Sequence, residues 1–168
     1  MHIKEKSSEI EKIIFFLNEI GIKVVEKELD DTFLPGLSLG SSCVYVDYKK
    51  MLYPGDILHE AGHLAVTPTA NRKLVGTDEI ASDWPTEGEE IAAILWSFAA
   101  AKHLDLPLEL VFHPNGYKND SEWLISNFND EVYIGLPFLE WAGLALGKER
   151  ASKEGKEAFP KMIKWIRE

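Results

Sequence analysis

A single cysteine, Cys43, stands in the 168 residues of this chain. No internal disulfide can form, which fits a reducing compartment, and Cys43 reads as a small core residue heading a strand. Basic residues are scarce. Eighteen Lys and Arg against 28 Asp and Glu leave a formal net charge of −10, which argues against a nucleic-acid backbone or an anionic membrane surface as partner. Long apolar runs are missing too: the most apolar stretch, Tyr133–Leu146, carries Glu140 and is too short to span a bilayer. Met1–Ser8 lacks the apolar core of a signal peptide. Repeats and low-complexity tracts are absent. The expectation is one cytoplasmic domain over residues 1–168, with 45% apolar residues and five tryptophans to build a core that buries about two-thirds of the unfolded surface.

Against this plain background stands His59-Glu60-Ala61-Gly62-His63, an HExxH pattern. Two histidines four residues apart on a helix lie one above the other, so both can reach one zinc ion with bonds of about 2.0–2.1 Å. Glu60 is turned about 100° from His59 and can hold a water beside the metal without ligating it. The flanks support a helix. Pro54 suits a first turn and Asp56 favours the positive end of the helix dipole, while Pro68 stops the run. Ile57, Leu58, Ala61, Leu64 and Ala65 form a buried face; His59, Gly62, His63 and Val66 form another. Gly62 weakens a helix interior by roughly 1 kcal/mol relative to Ala, a cost that the close approach of a second element would explain.

Catalytic zinc usually has three protein ligands and an open position. Thr69 stands where a third histidine would fall in the HExxHxxGxxH spacing, so the ligand must come from farther along. The run from Thr86 to His103 is apolar almost all round, as a buried central helix would be, yet it opens with Glu87, Glu89 and Glu90. Thr86 and Glu89 fit a capping box, which leaves Glu90 as the preferred ligand and Glu89 as the alternative; His103 and His113 are outsiders. Ala93, Ser97 and Ala101 continue a small face below Glu90 that would let this helix approach the HExxH helix. Nitrogen and carboxylate ligands suit zinc, but they also admit iron, cobalt or nickel.

Metal-assisted hydrolysis follows as the expected chemistry. Glu60 would take a proton from the attacking water and later deliver it to the leaving amine. A further donor often steadies the developing oxyanion, and the turn-rich stretch His113-Pro114-Asn115-Gly116-Tyr117 offers His113 and Tyr117. The rival reading is a binding or sensing module with a structural zinc site, for which a general base would have no use. The remaining chain reads as mainly helical. One helix is capped by Ser8 and runs to about Asn18 on Ile10, Ile13, Ile14 and Leu17; another opens at Asp120 or Ser121; a third starts at Pro137 and ends at Gly147; a last begins at Pro160 with Met162, Ile163 and Ile166 inward. Ile22–Leu29 alternates as a strand, and Lys148–Lys156 is an exposed charged connection.

HExxH followed by a carboxylate on the next main helix resembles the gluzincin branch of the zincin metallopeptidases. Upstream, Leu34–Tyr48 reads as a Pro/Gly turn, a short strand and a stronger strand at Cys43–Tyr48. That order is similar to the ImmA/IrrE-like minimal metallopeptidases, in which an ExxA helix supplies the glutamate. Both Glu89-x-x-Ala92 and Glu90-x-x-Ala93 satisfy ExxA. The resemblance covers roughly residues 8–103, with HEAGH in place of the commoner HELGH and no Asn after the ExxA alanine. It implies an α+β, zincin-like fold, mainly helical with a small sheet ahead of the HExxH helix. It also implies Zn2+ as cofactor and a peptide substrate held by strand addition along Cys43–Tyr48. A small amide or ester is the alternative substrate.

Overall fold

The computed structural model describes residues 7–168; Met1–Lys6, most of the segment read as lacking a signal peptide's apolar core, lie outside the described residues. The chain is α+β. Helix α1 (Ser8–Ile20) leads into β1 (Lys23–Glu26), β2 (Leu37–Gly40) and β3 (Cys43–Val46), and helices follow. The cap of α1 is Ser7, one residue before the expected Ser8; its hydroxyl accepts from Ile10 N, and Gly21 closes the helix in the left-handed region. Phe16 takes the buried place expected of Ile14. The strand expected over Ile22–Leu29 is the shorter β1. The sheet order is β1-β3-β2, with β1 parallel and β2 antiparallel to β3. The strand expected at the cleft edge is therefore the central one. Both its backbone edges are already paired, so strand addition along β3 is excluded. Val44 and Val46 are fully buried, which is why the most β-prone run takes the middle.

Two helices position the site. Helix α2 (Asp56–Ala65) carries the HExxH pattern, and α4 (Glu87–His103) passes against it. Ile57, Leu58, Ala61, Leu64 and Ala65 are all buried as expected, and each large one adds roughly 1.5–3 kcal/mol of apolar burial. The helices pass very closely at Gly62, where a Cβ would lie 2.8 Å from Ala93 O and 3.2 Å from the Trp96 ring. At the other end a Cβ on Gly55 would meet Leu110 O at 1.9 Å, so the start of α2 lies directly on α5 (Leu108–Val111).

The C-terminal end of α2 is closed by donors from Thr67, Arg72 and the distant Arg167. Thr67 Oγ1 donates to His63 O at 2.6 Å. Arg72, on the short α3 (Thr69–Arg72), donates to Leu64 O and Thr67 O, both at 2.9 Å, and also to Arg167 O. Arg167 donates its backbone N–H to Ala65 O at 2.9 Å and its guanidinium to Val66 O at 3.1 Å. Five successive carbonyls, His63 to Thr67, thus have donors from Thr67, Arg72 and Arg167 at a helix end where intrahelical partners run out.

Several C-terminal elements differ from expectation. The helix expected from Pro137 to Gly147 ends early. It is α7 (Leu136–Trp141), because Gly143 turns to positive φ and the Leu144 and Ala145 N–H groups fold back to Leu139 O. The charged stretch read as a connection is helix α8 (Lys148–Glu154), carrying Glu149–Lys153 and Arg150–Glu154 pairs at i,i+4. No helix begins at Pro160. The amides of Ile163 and Lys164 bond to Leu144 O, and Met162 bridges to Ala145. Ile163 is exposed, and Trp165 packs edge-on against Phe16 and Trp96. Long-range partners here outcompete the local helical bonds. The helix expected at Asp120 or Ser121 is α6 (Ser121–Asn129). Among the described residues no helix is long and apolar enough to cross a membrane.

Two substitutions test this packing. Gly62→Ala raises helix propensity by about 1 kcal/mol but drives a Cβ into backbone that cannot turn aside, an overpacking cost of about 3 kcal/mol; urea denaturation should show a net loss, and a gain would contradict the contact. Arg72→Met strips donors from Leu64 and Thr67 and should cost about 2–4 kcal/mol, read the same way; an unchanged midpoint would mean water replaces the guanidinium freely.

Candidate metal centre

His59 and His63 project from one face of α2, and their Nε2 atoms lie 3.0 Å apart. Glu90, in the first turn of α4, brings Oε1 to 3.2 Å from His59 Nε2 and Oε2 to 2.8 Å from His63 Nε2. Both imidazoles are buried, while Glu90 is half-buried and opens the cluster to one side. The ligand atoms of these three residues lie within 4.8 Å of one another. Three electron-pair donors meeting at one point require a proton or a cation between them. Four-coordinate zinc with ligands at about 2.0–2.1 Å sets its donor atoms about 3.3 Å apart, close to the separations found. The donor set therefore fits a divalent metal.

Glu89 is occupied elsewhere. Thr86 Oγ1 donates to Glu89 Oε1 at 2.9 Å, Glu89 N donates to Thr86 Oγ1 at 3.3 Å, and Thr86 N donates to Glu89 Oε1 at 3.4 Å, a complete capping box. Its other oxygen lies 3.4 Å from Thr67 Oγ1. Between the two candidates, the geometry brings Glu90 to the histidines. His103 packs against Phe16 and Trp165 at the far end of α4. His113 is engaged outside the three-residue group: its Nε2 bonds to Asp56 Oδ1 at 2.7 Å, and its ring stacks on Tyr53 with centroids 3.9 Å apart.

Comparison with family models, with curated proteins and with solved structures returns no match.

Tyr117 does reach the cluster. Its ring meets His59 edge-on, with centroids 5.4 Å apart, and its hydroxyl is buried without a hydrogen-bond partner. The backbone there is unusual: Tyr117, Lys118 and Asn119 all have positive φ, a conformation that costs non-glycine residues about 1–2 kcal/mol each. An orphaned buried hydroxyl costs about 1–3 kcal/mol more. Strain and an unsatisfied donor at one residue are commoner at functional sites than elsewhere.

The electrostatics follow from burial. Burial, above all, pushes the Glu60 carboxyl up, opposed by His63 and His59 and reinforced by Glu90 and Asp56. Burial also works against Glu90, but hydrogen bonds from His59 and His63 hold its carboxyl far below the ordinary range. His63 is raised despite its burial, chiefly through Glu90. Burial raises the Tyr117 phenol well above its usual value, helped by Asp56, Glu90 and Glu60. Glu60, which feels the charge of Glu90, and Glu90 itself thus have opposite tendencies, one toward holding a proton and the other toward losing it.

Sequence reasoning missed three neighbours. Asp56, read only as a dipole partner, is buried on α2 three residues before His59 and holds His113; that spacing is the signal that places it near the site. Tyr53 supports the same imidazole. Trp84 sets its ring 6.1 Å from His63 and donates its indole N–H to Thr67 Oγ1 at 3.0 Å; a lone Trp between turn residues carries no such signal.

Metal analysis of the native protein should find one divalent ion per chain, lost in His63→Ala and Glu90→Ala. Glu89→Ala should keep the ion and lose about 1 kcal/mol of stability through its cap. Loss of metal in Glu89→Ala at unchanged stability would reverse the assignment.

Proposed function

We propose that this chain is a zinc-dependent, zincin-like hydrolase that cleaves a peptide or related amide bond. The observation that carries the reading is the half-buried convergence of His59, His63 and Glu90 with Glu60 next to His59 on α2. A structural site has no use for that base. Among the described residues the group that could hold a metal has three members, and His113, the outsider considered as a ligand, is spent on Asp56.

In this reading His59, His63 and Glu90 hold the metal, which when bound supplies Lewis acidity toward a carbonyl. Glu60 takes a proton from the attacking water. Glu60 keeps that proton and passes it to the departing nitrogen, yielding a carboxylic acid and an amine. The Tyr117 hydroxyl donates to the carbonyl oxygen as negative charge builds there, which supplies the partner it otherwise lacks. His113 touches no ligand; with Asp56 and Tyr53 it is a positioning group behind the Tyr117 turn, its ring 6.4 Å from that of Tyr117.

The test is a zinc-loaded protein incubated with a mixture of capped peptides and simple amides, with products read by mass spectrometry. Glu60→Gln should retain its metal and lose about 10²–10⁴-fold in rate. Tyr117→Phe should lower kcat more than it alters KM. Cleavage that survives Glu60→Gln would remove the mechanism.

A further inference from the structure

Resting on that hydrolase reading, we propose that the concavity between α4 and α6 is the pocket for a large apolar side chain on the substrate. The cavity measures about 370 Å³, near the low end for small-molecule sites, which run from about 300 Å³ upward. That size suits one bulky side chain better than an extended ligand. Its walls are Ile91 and Ile94 of α4, Trp123, Leu124 and Phe128 of α6, and Ile134 beyond it. Leu124 and Phe128 belong to the buried core, but Ile91, Trp123 and Ile134 are 39%, 53% and 37% exposed. The pocket thus has a packed floor and a rim of apolar groups left in water, a surface that gains by being covered.

Continuity with the metal centre identifies the occupant. Glu90 and Tyr117 line this pocket as well as the cluster, and Ile91 and Ile94 follow Glu90 at i+1 and i+4 on the same helix. A carbonyl placed between the histidines and the Tyr117 hydroxyl has this apolar hollow beside it. The polar groups that complete the lining, Lys118 and Asp120, are exposed and of opposite sign, so the pocket carries no net charge preference of its own beyond Glu90. An aliphatic or aromatic side chain is therefore favoured over a charged one. All the walls outside α4 come from residues 117–134, beyond the segment with a recognisable resemblance, so the preference belongs to this chain.

The test reads binding rather than turnover. Protein labelled at isoleucine methyl groups is titrated, with and without zinc, with N-acetyl-phenylalaninamide, N-acetyl-glycinamide and N-acetyl-aspartamide, and followed by NMR. Saturable shifts should concentrate at Ile91, Ile94 and Ile134 with the phenylalanine compound, with a dissociation constant at least tenfold lower than for the glycine one. Trp123→Ala and Ile134→Asp, both at exposed positions, should abolish that difference at unchanged metal content and melting temperature. A capped pentapeptide with a central Phe that binds tighter than the single amide marks a peptide as the source of the side chain; equal binding marks a small amide. Equal shifts for all three probes, or shifts spread elsewhere, would overturn the pocket. Because the readout works without zinc, a metal-free protein or an active Glu60→Gln variant would instead defeat the hydrolase reading alone.

Discussion

Where Gly62 of α2 faces the backbone of Ala93 on α4, there is room for a hydrogen atom and nothing larger. The geometry of the candidate metal centre descends from that approach. His59 lies three residues before Gly62 and His63 one after it, while Glu90 lies one turn before Ala93. The distance between the helices therefore sets the distance between the imidazoles and the carboxylate. A wider contact would leave Glu90 short of both histidines, and two buried imidazoles with only each other could not carry charge without the carboxylate beside them.

The first turn of α4 shows how three neighbouring carboxylates divide their work. Glu89 turns back to complete the cap with Thr86. Glu90, one residue on and about 100° around the helix, turns toward α2. Glu87 stays exposed. An otherwise apolar helix has all its acidic residues where the dipole favours negative charge, so a carboxylate held near two buried imidazoles is stabilised by its own helix as well.

Much of this was legible because it is local. The spacing of His59 and His63, the Thr86–Glu89 box and the buried face of α2 depend on neighbours within one or two helical turns. Gly62 was legible as an anomaly that predicted a close partner, and Ala93 as a small residue able to be that partner. The illegible parts are those in which a remote group overrides a local tendency. Met162, Ile163 and Ile166 have helical spacing, yet bonds to Leu144 and Ala65 draw that segment out. Cys43–Tyr48 gave no sign that both its neighbours would pair with it. Asp56 could be read as a helix-start residue, but its bond to His113 crosses 57 positions.

The clamp on the end of α2 has a consequence for the order of assembly. The histidine pair is separated by a single helical turn and can come together as soon as α2 forms, whereas Arg167 reaches Val66 across 101 positions and Arg72 meets Arg167 across 95. Loop closure over such distances is slow compared with helix growth. Pairing the two imidazoles thus needs only local helix formation, whereas sealing the carboxyl end of that helix needs residues far along the chain. An ion held by both imidazoles before the end is sealed would brace α2 while the distant arginines arrive.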